Sequence, residues 1–355
     1  MPEGYTHSSI GLRAAAAAGW TITSREAFMA GANGPDMLFC YQAWKSGPKR
    51  RINLPALGNR MHAERTGAFL KALSRHAITP VQKDYFLGFL CHYATDTVVH
   101  PYVEAVTRCC AAYGGPTGHG RFEIALDSHL HEKATGSPAV PLKDITPRLT
   151  GVPLAQVMVQ LRRAIADTYG IDVPCSCLVD AFNHNYFLRS LFASKTPLKL
   201  RQKVFRVLEC FIGGKGYITG HLTPAKLRGI SGKDVRQGIR LPNVWQDPYT
   251  GETREENIYQ LLEKAEMYST LLIREATALY TGWDLFWPLV GSKDYTWGAE
   301  TPQSTLPAVS EEETPPPPVR DEAAALRETA AAAAALAEKR EKAAETAAEP
   351  AENKN

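Results

Sequence analysis

The stretch FLCHYATDTVVHPYV, residues 89–103, places His92, Asp96 and His100 at intervals of four residues. Residues four apart in an α-helix lie on one face, because four residues turn the helix by only about 40° beyond a full turn. The stretch therefore predicts a helix that presents two imidazoles and one carboxylate to the same side. Imidazole nitrogens and carboxylate oxygens are ligands of zinc and similar metals, so we predict a metal-binding helix here.

A second stretch repeats this spacing. GHGRFEIALD, residues 118–127, places His119 four residues before Glu123 and Asp127 four residues further on. Two such helices facing one another would hold several metal ions. Adjacent divalent metals suit phosphodiester hydrolysis, because they bind the phosphoryl oxygens, activate water and stabilise the leaving oxygen. We therefore predict a polynuclear hydrolytic site, with Asp127 as a carboxylate that orients a ligand histidine.

Hydrophobic periodicity predicts an all-α fold for most of the chain. No sustained alternation of polar and apolar residues indicates a sheet. Pro101 disfavours the helical conformation of His100, so we expect the first metal-binding helix to end or kink there. Helix-period patterns cover 61–76, 81–99, 119–133, 153–168, 176–193, 197–210 and 255–281.

A change of composition near residue 300 predicts two regions. Residues 1–300 carry 34 basic and 26 acidic side chains, and we interpret them as an all-α hydrolase domain of net charge +8. Residues 301–355 begin with proline-rich, acidic sequence that includes EEETPPPPVR at 311–320. They continue as an Ala/Glu/Lys tract whose large apolar residues are Leu326 and Leu336. Such a tract has no face to bury. We expect a disordered or marginally helical solvated tail, with an unidentified partner or a tethering role as the alternative.

Cysteine content and hydropathy indicate a cytoplasmic protein. The chain has seven cysteines, an odd number without paired CxxC motifs, which argues against a disulfide scaffold. No apolar run approaches the roughly 20 residues that span a bilayer. We interpret MPEGYTHSSIGLRAAAAAGW as a mature N-terminus that leads into a short helix. The basic clusters 49–51 and 199–203 are typical of solvated surface, and peripheral contact with anionic lipid or nucleic acid is the alternative.

Three upstream residues complete a pattern that resembles a known family. His7 lies in GYTHSSIG, Asp36 follows Gly-Pro in GANGPDMLF, and His62 lies in GNRMHAERTG. Followed by the two helical stretches, this order resembles the bacterial zinc-dependent phospholipase C family. It is most similar to the branch without a secretion signal, whose members open with Met-Pro-x-x-Tyr-x-His. Residues 243–266 are similar to the C-terminal helix region of that branch, so the resemblance covers residues 1 to about 285.

The resemblance implies a compact multi-helix bundle, shared with a single-strand-specific nuclease family, with two or three zinc ions in one cleft. It implies that Asp96 bridges two of the ions and that Asp36 is either the general base or a metal ligand, and we predict Asp36 as the general base. In secreted members an N-terminal tryptophan also binds the third ion, and this chain departs there. The implied ligands are His62, His92, Asp96 and Asp36 for one ion, His100, His119 and Glu123 for a second, and His7 for a third.

These residues predict a zinc-dependent phosphodiester hydrolase, most simply of phospholipase C type acting on a glycerophospholipid. In members that select choline, aromatic residues near the ligands enclose the cation. Met37 and Asn59 stand at those places here, so choline preference is not supported. A nuclease or nucleotidase of the same fold is one alternative, and the positive charge of residues 1–300 favours it. A metal-stabilised helical scaffold without turnover is another.

Overall fold

A computed structural model describes residues 4–45, 47–110, 113, 118–192, 204, 207, 242–278, 286–300, 327, 331, 334 and 338. The α-helices in these ranges are α1 (Gly4–Ala17), α2 (Arg25–Ala32), α3 (Leu54–Ala63), α4 (Thr66–Arg75), α5 (Pro80–Cys109), α6 (Gly118–Thr135), α7 (Leu142–Ile145), α8 (Gly151–Tyr169), α9 (Cys175–Phe192), α10 (Ile258–Ala278) and α11 (Phe286–Val290). Short 3₁₀ helices cover Gly34–Cys40 and Gly47–Lys49.

The predicted all-α class is confirmed. The exception within the described residues is a hairpin of two-residue antiparallel strands, β1 (Trp245–Gln246) and β2 (Thr253–Arg254). Strands this short show no alternation that a sequence pattern could reveal. The helix predicted over 197–210 and the tail over 301–355 lie outside the described residues, except for isolated helical positions such as Val204 and Arg327.

The long helix α5 runs through the middle of the molecule and packs against α1, α2, α4, α6, α8 and α10. It begins with Pro80 in the first turn and a capping box, in which Thr79 and Gln82 satisfy one another's backbone N–H groups. Most of its residues are buried on every side, which is typical of a central helix. Its predicted metal ligands are therefore enclosed by the helices around it.

The helix predicted to end or kink at His100 does not end there, because α5 continues through Pro101 to Cys109. Pro101 has no N–H to donate to the carbonyl oxygen of Thr97. Gly298, with φ +65°, lies directly against that carbonyl: a Cβ on Gly298 would be 2.0 Å from the oxygen of Thr97. The Cα–H of Gly298 therefore contacts the carbonyl that the proline leaves unpaired. This tertiary contact favours continuation of the helix.

Two glycines allow α2 to lie directly against the backbone of α5. A Cβ on Gly31 would meet the carbonyl oxygen of Tyr85 at 2.0 Å, and a Cβ on Gly88 would meet that of Phe28 at the same distance. Neither position therefore accommodates a larger residue. This close approach brings the end of α2, and the 3₁₀ helix that follows it, over the middle of α5.

The single helix predicted over 61–76 is divided into α3 and α4. Arg65 has φ +54°, a left-handed conformation that interrupts the helix. Tertiary contacts hold the break, since Tyr169 donates a hydrogen bond to the carbonyl of Glu64 and Arg65 donates one to the carbonyl of Thr168. Periodicity continues across the break because both helices bury an apolar face, so the pattern alone does not reveal it.

The buried apolar residues form two clusters that meet along α5. The larger cluster lies around its N-terminal half and includes Phe69 and Phe89. The smaller cluster lies around its C-terminal half and includes Phe122 and Trp245. The metal-binding residues of α5 lie at the junction between them. Within the described ranges, no helix combines the length and apolar composition needed to cross a membrane.

Candidate metal centre

The three polar residues of α5 share one face, as their spacing predicts. Asp96 lies in the middle, fully buried, with Nε2 of His92 at 3.1 Å from one carboxylate oxygen and Nε2 of His100 at 3.9 Å from the other. Nδ1 of His92 donates to the carbonyl of Ala32, at the end of α2, over 3.3 Å. The contact between α2 and α5 therefore sets the orientation of the His92 ring.

His62 and Asp36 reach the same carboxylate from neighbouring elements. Nε2 of His62, on α3, lies 3.2 Å from Oδ1 of Asp36 and 4.0 Å from Oδ2 of Asp96. Its Nδ1 lies 2.7 Å from the carbonyl of Gly58 one turn earlier on α3. Because Nδ1 faces a carbonyl, it carries the ring proton, and Nε2 is left to face the two carboxylates.

The turn before Asp36 requires glycine. Gly34 has φ +55°, and a Cβ there would lie 2.2 Å from Cδ2 of His92. The Gly-Pro-Asp element therefore lies directly on the imidazole of His92. This explains why glycine precedes the proline, and it places Asp36 beside the α5 residues.

A second group forms where α6 faces the C-terminal half of α5. Oε1 of Glu123 lies 2.8 Å from Nε2 of His119 and 3.4 Å from Nε2 of His100. His119 is the most exposed of the predicted ligands, with 29% of its side chain accessible, whereas Glu123 is buried. The second group is therefore open to solvent on the His119 side.

His7, on α1, completes the set. Its Nε2 lies 3.2 Å from Oδ1 of Asp96, the oxygen that also faces His100. Asp127, expected to orient a ligand histidine, accepts hydrogen bonds from the backbone N–H groups of Tyr5 and Thr6, both at 2.9 Å. These N–H groups in the first turn of α1 have no partner within the helix. Asp127 thereby fixes the turn that carries His7.

All eight residues predicted as ligands are brought together around Asp96. Their ligand atoms form three groups within which all distances are at most 4.8 Å: His62, His92 and Asp96; His100, His119 and Glu123; and His7, Asp36 and His92. The second group has the composition that the resemblance implies, and the first group has it without Asp36. The third differs in pairing His7 with Asp36 and His92, although Asp96 is also within 3.2 Å of His7.

The protonation states suit metal binding. Burial alone would raise the pKa of Asp96, but the imidazoles of His92, His100 and His7 outweigh it and hold that pKa well below its usual range. Burial lowers the pKa of His100 well below its usual value and lowers the pKa of His119 to about 4. Near pH 7 the carboxylate of Asp96 is therefore ionised and the imidazoles of His100 and His119 are neutral, which are the forms that bind metals.

The buried polar atoms at the centre fit a cation. Nε2 of His7, His92 and His100 and both oxygens of Asp96 are buried, and none has hydrogen-bond geometry with any described residue. Leaving such atoms unpaired in the interior costs free energy. Nitrogen and carboxylate donors converging on one point would be satisfied together by zinc, whose ligands are of these kinds.

Sequence analysis missed two residues at this centre. Oε1 of Glu104 lies 2.9 Å from Nδ1 of His119, and this hydrogen bond lowers the pKa of Glu104. The sequence could have predicted Glu104, because it continues the series of four-residue intervals from His92 through His100. Tyr295 also contacts the centre, packing on His62 and His92. Tyr295 lies more than 200 residues after His92 in the chain, so no pattern within one segment predicts its contact with the ligands.

The remaining histidines within the described ranges have other partners. His76 contacts Asp167, His129 contacts the hydroxyl of Tyr259, and His184 accepts from the backbone N–H of Gln42. His131 contacts the carbonyl of Ser137. His221 lies outside the described residues.

Part of the chain matches a known protein family. Residues 6–158 match the family model described as zinc dependent phospholipase C. The matched segment runs from just before His7 to beyond Glu123, so it contains every predicted ligand. No curated protein and no solved structure matches the chain.

Proposed function

We propose that this chain, whose residues 6–158 match the zinc-dependent phospholipase C family, hydrolyses the phosphodiester bond of a glycerophospholipid. The products would be diacylglycerol and a phosphorylated headgroup. The observation that carries this proposal is the buried carboxylate of Asp96, which faces imidazoles from α1 and α5 without hydrogen-bond geometry to any described residue.

The ligand groups support binding of two or three zinc ions. His62, His92 and Asp96 would hold one ion, and His100, His119 and Glu123 a second. His7, with Asp96 or Asp36, would hold a third. When bound, zinc acts as a Lewis acid toward a phosphodiester and acidifies water near neutral pH.

Asp36 is the proposed general base. It lies at the edge of the first group, where 11% of its side chain is accessible, whereas Asp96 is fully buried. One of its carboxylate oxygens, Oδ1, lies 3.2 Å from Nε2 of His62. A carboxylate held at the open edge of a phosphodiester site can accept the proton of the attacking water.

The first measurement is the zinc content of the purified protein beside that of His92→Ala. We expect two or three ions per chain in the wild type and a clear decrease in the variant. Less than about one ion in both would mean that the histidines are structural, and the hydrolase proposal would fail.

The role of Asp36 is tested with Asp36→Asn, assayed on bis-p-nitrophenyl phosphate. We expect kcat to fall at least about 100-fold while the melting temperature is retained, because loss of a general base typically costs this much. Asp172→Asn is the matched control, since Asp172 pairs with Arg162 on the surface. Undiminished kcat in a zinc-loaded Asp36→Asn protein would exclude the assigned role.

Substrate class is decided by parallel assays on phospholipid vesicles and single-stranded DNA. The family match favours the phospholipid, whereas the net charge of +8 on residues 1–300 favours the polyanion. Hydrolysis of DNA with intact vesicles would replace the lipase proposal with a nuclease. Zinc binding without turnover of either substrate would support the scaffold alternative.

A further inference from the structure

The segment 286–300 lies beyond the residues that match the family and packs against the helices that carry the first ligand group. Tyr93, next to His92 on α5, donates a hydrogen bond to the carbonyl of Val290 at 2.6 Å. Thr66, at the start of α4, donates one to the carbonyl of Lys293 at 2.8 Å. The segment is therefore attached to both sides of the group formed by His62, His92 and Asp96.

Tyr295 is the residue of this segment that contacts the ligands. Its side chain is fully buried, and its backbone N–H donates to the carbonyl of His62 at 2.8 Å. The centroid of its ring lies 5.2 Å from that of His62 and 5.6 Å from that of His92, at interplanar angles of 71° and 60°. These are edge contacts of the kind that aromatic rings prefer.

Tyr295 packs on both imidazoles, and each imidazole also has a ring contact of its own, Phe39 against His62 and Phe89 against His92. Each has one contact between Nδ1 and a backbone carbonyl, at 2.7 Å for His62 and 3.3 Å for His92. Such a contact holds one ring atom, but it does not by itself fix the plane of the ring. A planar, buried side chain against both rings restricts their rotation and keeps both Nε2 atoms directed toward Asp96.

Tyr295 is itself held by a rigid turn. Oδ1 of Asp294 accepts hydrogen bonds from the backbone N–H groups of Thr296 at 2.7 Å and Trp297 at 3.1 Å. The N–H of Gly298 closes the turn onto the carbonyl of Asp294 at 2.9 Å. Because Gly298 also lies against the Thr97 carbonyl of α5, the turn is docked on the helix that carries His92.

We propose that Tyr295 is a positioning residue for the zinc centre, and that its ring orients His62 and His92 for binding of one ion. The inference rests on the zinc centre proposed above. It assigns to residues 286–300 a part in completing a site whose ligands all lie before residue 124. The contribution comes from the planar ring and not from the hydroxyl group.

The test compares zinc affinity in Tyr295→Met and Tyr295→Phe by competition with a chelator. Methionine fills most of the volume but lacks a plane, so we expect one ion to bind about ten-fold more weakly, as when an outer partner of a ligand histidine is lost. Phenylalanine keeps the ring, so its zinc affinity should equal that of the wild type. Replacement of zinc by cobalt should give an altered visible spectrum in Tyr295→Met alone.

Tyr85→Met is the matched control. Tyr85 is also a buried tyrosine whose hydroxyl has no hydrogen-bond partner among the described residues, but its ring contact is with Phe89 and not with a ligand. We expect it to lose stability like Tyr295→Met and to keep wild-type zinc affinity and cobalt spectrum. A shared loss of affinity would mean that general destabilisation is responsible.

The outcomes separate this inference from the proposed function. Wild-type zinc binding together with unchanged affinity in Tyr295→Met would overturn the positioning role and leave the zinc centre intact. Absence of zinc from the wild type would overturn both. If Tyr295→Met does not fold, Tyr295→Phe still tests the proposal. A lower zinc affinity in Tyr295→Phe would contradict it, because that variant keeps the ring and lacks only the hydroxyl group.

Discussion

The two ligand groups on α5 differ in what surrounds them. The first group is enclosed by the α2–α5 contact and by residues 286–300, and its His92 and Asp96 are fully buried. The second group is bounded by α6 on one side and keeps His119 29% accessible. The first group is therefore held by packed backbone, whereas the second depends on side-chain hydrogen bonds, chiefly that between Glu104 and His119.

The largest loss of zinc binding and activity is expected for a substitution at Gly34, because there is no free space between Gly34 and the ring of His92. Gly34→Ala would place a Cβ 2.2 Å from the ring of His92 and force a residue other than glycine to φ +55°. His92 lies between Gly34 and the buried ring of Phe89, so the ring would turn away from Asp96. We expect loss of one zinc ion and a decrease of about 100-fold in kcat/KM, because such displacements at a reactive site are costly.

Gly136→Ala is the control for backbone strain. Gly136 has φ +78° and nothing within 4 Å of the added Cβ, so the variant carries the strain without the collision. It should cost about 1–2 kcal/mol of stability and leave the zinc content unchanged. Equal zinc loss in both glycine variants would show that strain, and not the contact with His92, causes the effect.

A smaller effect is expected in the second group, where one hydrogen bond supports His119. Glu104→Ala should lower the affinity for one zinc ion by about 10- to 100-fold. Glu104→Gln should lower it less, because the amide oxygen still accepts a hydrogen bond from Nδ1 of His119. Titration with a chelator measures both. Glu256→Ala, which removes a surface ion pair with Lys264, should change nothing. Wild-type affinity in Glu104→Ala would mean that α6 alone positions His119.

The smallest expected effect is a change in the stability of the metal-free protein with pH. Because the pKa of His119 is lowered to about 4 by burial, the folded protein binds fewer protons than the unfolded chain between that value and the usual histidine range. His119 therefore contributes stability that is present above about pH 6.5 and is lost as the pH falls toward 4. The chelated, metal-free protein should melt at lower temperature on acidification. His119→Gln should show a shallower pH dependence, and an identical slope would argue against this assignment.

The sequence was most informative where contacts are local. His92, Asp96 and His100 share a face because helical geometry alone requires it, and the same rule relates His119 to Glu123. His7, Asp36 and His62 carry no such relation to these helices, and the resemblance to a family identified them. The rule on proline was misleading at His100, because it describes an isolated helix and Gly298 contacts the carbonyl that Pro101 leaves unpaired.

Hydrophobic period and helical rotation within single segments are enough to establish the all-α class and the spacing of the candidate ligands. How the segments meet depends on tertiary packing. Packing places Gly34 on His92, Glu104 against His119, and Tyr295 against His62 and His92. These contacts depend on the distance and angle between packed elements, which no pattern within one element specifies.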